Sequence, residues 1–291
     1  MPDSLVPLLR WLAAQDEGAS VIVSCPKAPP VRPRPRDVAV TWDTCLASAS
    51  SGTVAQLLAV GVDHVYVNHC GCAEQRFTSW ESITPGRVSM YVPGRRSLRS
   101  GVSLRLTEVP LPRRAVFGLA ISAPISFDDD DQDRTLHSLE VLGLGEEASS
   151  RLTDQPQSLV LQASGCTMCG VCVKACPHDA LAIEPAKENS TSRMAGSRLI
   201  YAVDACRGCN RCIDLCPVSA LESHGPESWE NVRARTLRVL AQQVMATCES
   251  CGAPVQDPSK SLCALCEYRQ EHPFESVPLD MMRQLLKGTS A

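Results

Sequence analysis

The strongest constraint on this chain is a cysteine-rich segment that occurs twice in its second half. CTMCGVCVKACPHDAL begins at Cys166 and CRGCNRCIDLCPVSAL begins at Cys206, an offset of 40 residues. The two copies agree in all four cysteines, in the proline after the last cysteine and in an Ala-Leu pair. Chance does not produce agreement of this kind, so the segment is an internal repeat.

Composition indicates that these cysteines bind metal. The 291 residues include 16 cysteines, and neither a secretory signal nor an apolar run long enough to span a membrane is found. We therefore expect a cytoplasmic protein, in which thiols stay reduced. The formal charge of -4 leaves no basic excess for phosphate backbones, and we expect no nucleic-acid partner.

The spacing of the repeated cysteines predicts the kind of metal site. C-x2-C-x2-C-x3-C-P holds cubane iron–sulfur clusters, with three thiolates from one loop and the fourth from the other half. One predicted [4Fe–4S] cluster binds to Cys166, Cys169, Cys172 and Cys216, and a second binds to Cys206, Cys209, Cys212 and Cys176. Residues 159–224 resemble a bacterial two-cluster ferredoxin domain, an α+β fold. The resemblance implies that the segment passes single electrons between enzymes or enzyme subunits.

Four further cysteines form two Cys-x2-Cys pairs near the carboxyl end. They resemble the two knuckles of a zinc ribbon over residues 248–268, and Gly252 suits the tight turn after the first knuckle. We expect a structural zinc ion, and a rubredoxin-like iron site with the same four thiolates is the alternative. The expected ligands are Cys248, Cys251, Cys263 and Cys266.

The first part of the chain alternates helical and strand patterns. Residues 1–125 are therefore predicted to form a small α/β domain with a mainly parallel sheet. Three strand candidates run into cysteines, since Val21–Val23 leads to Cys25, Val38–Thr41 to Cys45, and His64–Val67 to Cys70 and Cys72. Open α/β sheets bind ligands at this carboxyl edge, so the four thiols could converge there.

Two interpretations of these four cysteines stay open. Cysteine is common in protein cores, and a core role needs no metal. Alternatively, the four thiols bind a further iron–sulfur cluster or another metal, with His64 and His69 as additional candidate ligands. GVDHVYVNHCGC resembles the delta subunit of methyl-viologen-reducing hydrogenases, although the paired cysteines of that family's first strands are absent. The resemblance implies a domain that carries a cluster and links electron carriers.

The remaining segments are predicted to connect these domains. Residues 126–158 form an acidic linker with one helix, because five of the six residues from Asp128 to Asp133 are aspartate. Residues 225–247 form an amphipathic connecting helix, and residues 269–291 form a tail.

Sequence motifs for a catalytic site are absent. The chain has neither G-x-G-x-x-G for a dinucleotide nor G-x4-G-K-[ST] for a nucleoside triphosphate. We therefore expect a non-catalytic relay subunit of a larger redox complex, resembling a formate dehydrogenase or a hydrogenase. The alternatives are an enzyme with a cluster-based active site in the first domain, and an iron–sulfur assembly or sensing factor.

Overall fold

The computed structural model describes residues 4–15, 18–93, 100–112, 123–144, 146–186, 194–252, 254–255 and 259–280. The chain divides into two compact units, residues 1–155 and 156–291. No helix within the described residues is long and apolar enough to cross a membrane. The last part of the predicted tail, residues 281–291, lies outside the described residues.

The first unit contains a five-stranded parallel sheet in the order β4-β3-β1-β2-β5. The strands are β1 (Ser20–Ser24), β2 (Val38–Thr41), β3 (His64–Asn68), β4 (Val88–Met90) and β5 (Val102–Arg105). The central strand β1 is buried almost throughout, as its run of apolar residues predicts. The α/β architecture with a parallel sheet is therefore confirmed.

Three helices of the first unit complete its apolar core. They are α1 (Leu5–Ala13), α2 (Thr53–Ala59) and α3 (Glu74–Ile83). The leucines of α1 recur at helical spacing and are buried, and every residue of α2 is buried. Helix α3 is mostly polar and buries only Ser79, Trp80 and Ile83, which explains why its sequence carries a weak helical pattern.

The acidic segment contributes to the first unit. It forms α4 (Asp131–Val141), followed by α5 (Glu146–Ser150). The Asp130 carboxylate caps α4 by accepting a hydrogen bond from the Asp133 N–H, at the end of the helix where negative charge is stabilising. The buried Gln56 amide of α2 donates to Asp131 and Thr135 of α4, which joins the two helices.

The second unit contains two antiparallel sheets. Strand β6 (Leu159–Ala163) pairs with β9 (Leu221–Pro226). The larger sheet has the order β11-β10-β8-β7 and comprises β7 (Leu181–Ala186), β8 (Met194–Ala202), β10 (Leu237–Thr247) and β11 (Pro254–Val255). The short helices are α6 (Val171–Ala175), α7 (Arg211–Asp214), α8 (Trp229–Arg233) and α9 (Ala264–Glu271). The buried Tyr201 hydroxyl donates to the Leu159 carbonyl oxygen at 2.6 Å and thereby links the two sheets.

The predicted connecting helix over residues 225–247 is wrong. The chain there forms only the short helix α8, turns at Arg235 with a φ of 49°, and continues as strand β10. Leu237 and Val239 are 68% and 52% exposed, whereas Arg238 and Leu240 are half-buried. This alternation of exposed and half-buried residues has the two-residue period of a strand and not the 3.6-residue period of a helix. Strand β10 also pairs with β8 over most of its length.

Candidate iron–sulfur and metal sites

The internal repeat of the sequence is also a repeat of backbone conformation. Left-handed φ angles recur at the 40-residue offset in both copies. The pairs are Met168 and Gly208 (54° and 61°), Gly170 and Asn210 (75° and 59°), and Asp179 and Ser219 (52° and 50°). Residues other than glycine rarely adopt this backbone conformation, so its recurrence indicates that both loops follow the same sharply turning path.

Backbone N–H groups point at the first and last sulfur of each copy. Met168 donates to Cys166 at 3.4 Å, and Gly208 donates to Cys206 at 3.5 Å. Ala180 and Ala220 donate to the fourth cysteines of their copies, Cys176 at 3.3 Å and Cys216 at 3.2 Å. Such donors stabilise sulfur that carries negative charge, as a thiolate bound to iron does.

The eight cysteines of the repeat line two cavities. The first cavity is lined by Cys166, Cys169, Cys172 and Cys216, with apolar walls that include Ile183, Leu199 and Leu221. The second is lined by Cys176, Cys206, Cys209 and Cys212, with walls that include Leu159, Leu181 and Tyr201. Each cavity therefore combines three cysteines of one copy with the fourth cysteine of the other.

Burial affects equivalent thiols in the two cavities in the same way. Desolvation raises the pKa of Cys172 and of Cys212 to about 11. These thiols prefer to stay neutral, so a bound cluster would have to displace their protons, with its iron ions supplying the opposing charge. Four sulfurs, apolar walls and aimed N–H groups form a donor set that fits a cubane cluster in each cavity.

The four carboxyl-terminal cysteines lie together as a compact group. Their sulfur atoms are all within 4.8 Å of one another, and the sulfurs of Cys251 and Cys263 are 3.7 Å apart. Cys248 follows β10, and its sulfur accepts a hydrogen bond from the Cys263 N–H at 3.3 Å. That hydrogen bond is the main reason why the pKa of Cys248 falls to about 6. Gly252 has a φ of 72°, which agrees with the tight turn expected after the first knuckle.

The structure brings three of the four amino-terminal cysteines together. Cys25, Cys45 and Cys70 follow β1, β2 and β3, and their sulfurs lie within 4.8 Å of one another. Burial raises the pKa of Cys25 to about 11, whereas the backbone N–H of Cys72 lowers the pKa of Cys70 to about 7. The exposed Cys72 side chain interacts with that of Cys70.

The two candidate histidine ligands lie outside this group. His64 begins β3, at the opposite end of the strand from Cys70, and its Nε2 is 3.0 Å from the Ser89 hydroxyl oxygen. The Nδ1 of His69 accepts a hydrogen bond from the Gly71 N–H. Residue types do not identify which N–H groups donate to cysteine sulfur, because every residue except proline carries the same backbone donor.

Comparison with known families identifies the repeat. Residues 165–220 match the model of the 4Fe-4S dicluster domain family. The chain thus carries an iron–sulfur, ferredoxin-like domain, and this domain supports a role in electron transfer. A comparison of the chain with curated proteins gave no match. The resemblances of the carboxyl-terminal cysteines to a zinc ribbon and of the first unit to a hydrogenase delta subunit stay predictions.

Gly208 provides a test of the cavity geometry. A Cβ atom at this position would lie 2.5 Å from the Gln157 carbonyl oxygen, and the φ of 61° also disfavours a side chain. We expect Gly208→Ala to lower the iron retained by the protein by about half, because one of the two predicted cubane sites is distorted. Iron per chain after anaerobic purification measures this loss.

The matched control for this prediction is Gly170→Asn. Gly170 in the first copy and Asn210 in the second occupy equivalent left-handed turns. A Cβ atom added at Gly170 would meet only Ile183 Cδ1, at 3.7 Å. We expect this variant to keep its iron. Equal iron content in both variants would contradict the steric role of Gly208.

Proposed function

We propose that this protein transfers single electrons through two [4Fe–4S] clusters. Cys166, Cys169, Cys172 and Cys216 bind one cluster, and Cys176, Cys206, Cys209 and Cys212 bind the other. The observation that carries the proposal is the presence of two cavities, each lined by four cysteines in this crossed arrangement. The clusters supply the redox chemistry, and the protein sets their burial and hydrogen bonding.

In each copy of the repeat, about one helical turn separates a cysteine that lines one cavity from a cysteine that lines the other. Cys172 lies in α6 and lines the first cavity, while Cys176 ends that helix and lines the second. Cys212 and Cys216 of the other copy have the reverse relationship around α7. A helical rise of four residues is about 6 Å, so the two clusters lie close enough to exchange electrons directly.

Paired cysteine variants test the crossed assignment. Cys176→Ala with Cys206→Ala removes two ligands of one cavity, and about half of the cubane iron should be lost because the other ligand set stays intact. The matched variant pairs Cys176→Ala with Cys166→Ala, which belong to one sequence copy but to different cavities, and both clusters should be affected. Iron content and electron paramagnetic resonance of the reduced proteins measure the difference.

A different assignment would reverse this result. If each sequence copy bound its own cluster, the Cys166 and Cys176 pair would remove one cluster, and the Cys176 and Cys206 pair would damage both. Interacting S = 1/2 signals in the reduced wild-type protein are expected only when two clusters are present.

The chain outside the repeat suggests a fixed place in a larger redox complex. A diffusible ferredoxin needs little besides its clusters, whereas this chain has a first unit of 155 residues and a carboxyl-terminal cysteine group. We infer a relay subunit of a cytoplasmic oxidoreductase complex, of the formate dehydrogenase or hydrogenase type. An enzyme with its own cluster-based active site is favoured instead if a cluster with an open coordination position is found in the first unit. Labile, oxygen-responsive clusters without an electron partner would favour an assembly or sensing factor.

Purification of the protein without oxygen tests whether the chain is a subunit of a larger redox complex. A tagged full-length chain should elute from gel filtration together with a catalytic redox subunit, because the extra surfaces hold partners in place. The control is a tagged chain with Cys176→Ala and Cys206→Ala, which should keep the partner while losing electron flow. Recovery of an active, free monomer would contradict the subunit role.

For the carboxyl-terminal cysteine group we propose a structural zinc ion. The described part of this region has a very small buried core, formed by Cys248, Val255 and Cys266 with Leu262 and Cys263 packed against it. A segment with so little apolar burial needs a metal to fold, and four thiolates are a common zinc ligand set.

Removal of one zinc ligand tests this site. Cys251→Ser should release about one zinc ion per chain and raise the hydrogen-exchange rate of β11 and α9, because the metal stabilises the local fold. The spectrum of the cubane clusters should not change. If X-ray absorption shows iron bound to four sulfurs, the site is rubredoxin-like and the zinc assignment is wrong. If the variant keeps its full metal content, these four cysteines do not bind a metal.

A further inference from the structure

The first unit holds a second compact cysteine group. We propose that this group binds one divalent metal ion, either zinc or iron(II). Cys25, Cys45 and Cys70 supply three thiolates, and Cys72 supplies the fourth. This site is separate from the clusters of the repeat and from the carboxyl-terminal zinc site.

The parallel sheet determines where the three sulfurs lie. Hydrogen bonding continues beyond β1, since the Cys25 N–H donates to the Asn68 carbonyl oxygen at 3.0 Å. The Trp42 N–H likewise donates to the Ser24 carbonyl oxygen at 2.9 Å. The ends of three adjacent strands are thereby held in register, and each strand leads to a cysteine at the same edge.

The distances between the sulfurs fit a single ion. Cys45 lies 3.9 Å from Cys25 and 3.8 Å from Cys70, measured between sulfur atoms. Four thiolates at about 2.3 Å from a tetrahedral ion lie about 3.8 Å from one another. Each cysteine sulfur of a [4Fe–4S] cluster binds a different iron, and only two cysteine sulfurs share an iron in a [2Fe–2S] cluster. Three mutually close sulfurs therefore fit neither cluster. Of the alternatives that the sequence leaves open, the spacing therefore favours one metal ion over a further iron–sulfur cluster.

The second unit supplies an internal comparison. Within the described residues, the carboxyl-terminal cysteines form a group with all sulfurs within 4.8 Å, as do Cys25, Cys45 and Cys70. The eight described cysteines of the repeat form no such group and instead line cavities. The amino-terminal cysteines thus share the compact arrangement of the expected zinc site and differ from the expected cubane sites.

The surroundings of the sulfurs suit thiolates better than a neutral apolar core. The Leu46 N–H donates to the Cys25 sulfur at 3.4 Å, although Cys25 is only 1% exposed. The Cys263 N–H makes the same kind of hydrogen bond to Cys248 in the carboxyl-terminal group. Hydrogen bonds from backbone N–H groups stabilise metal-bound sulfur. A disulfide would use only two of the three neighbouring thiols and would leave the third without a role.

Cys72 is the proposed fourth ligand because its side chain interacts with that of Cys70, one of the three sulfurs that lie within 4.8 Å of one another. Gly71 has a φ of 89°, and the turn that it forms keeps the Cys72 side chain beside that of Cys70. Lys27 follows Cys25 by two residues, in the turn closed by the hydrogen bond from the Ala28 N–H to the Cys25 carbonyl oxygen. A divalent ion with four thiolates has a net charge of −2, and an ammonium group in this turn offsets part of that charge.

Metal analysis of the full chain tests the proposal. Cys45→Ser should lower the content of zinc or mononuclear iron by one ion per chain, with acid-labile sulfide and the resonance signals of the cubane clusters unchanged. The control is Ala47→Ser, an exposed substitution in the same loop that leaves every sulfur in place. Loss of two or more irons together with sulfide, or no loss of metal, overturns the proposal.

Alkylation of the wild-type protein gives a result that does not depend on how a variant folds. The exposed Cys72 should resist iodoacetamide in the folded protein and react after a chelator removes the ion, while the cluster signals persist. Rapid alkylation before chelation, or a disulfide found by mass spectrometry of the unreduced chain, overturns the proposal. Because the cubane signals are followed separately, failure here is distinguishable from failure of the electron-transfer proposal.

Discussion

Convergence of cysteine sulfurs from distant segments is the constraint on which both units depend. In the second unit, each cavity needs sulfurs from both copies of the repeat, so neither copy can form a complete site by itself. In the first unit, three sulfurs meet only because β1, β2 and β3 are adjacent and parallel. Charged sulfurs repel one another, and a bound metal would replace this repulsion with a favourable interaction.

The backbone is as important to these sites as the side chains. Left-handed turns at Met168 and Gly208 bring N–H groups to the first sulfur of each copy, at 3.4 and 3.5 Å. The first copy accepts a side chain at this turn, whereas Gly208 is held against the Gln157 carbonyl oxygen and has no room for one. The two copies therefore share their backbone conformation at this turn but differ in the packing around it.

Sequence patterns predicted the elements that depend on local periodicity. The leucine spacing of α1 and the apolar runs of β1 and β2 correspond to observed elements, because burial on one or both faces leaves a clear pattern. The prediction of a helix through Leu237 and Val239 was wrong, since both residues are exposed on a strand that pairs with β8. A few apolar residues among polar ones fit both the helical and the strand period, and only pairing with a neighbouring strand decides between helix and strand.

Residue spacing alone determined the chemistry of the repeat, because thiolates at C-x2-C-x2-C-x3-C intervals in two copies suit few ligands other than iron–sulfur clusters. The same spacing predicted which cysteines of the repeat share a cluster, whereas the tertiary structure alone decided how far apart the amino-terminal sulfurs lie. It also decided that the acidic segment packs on the first unit through Gln56, Asp131 and Thr135. Ligand type is a local property of the residues, whereas distances between residues 20 or more positions apart are set by sheet order and packing, which no short sequence window contains.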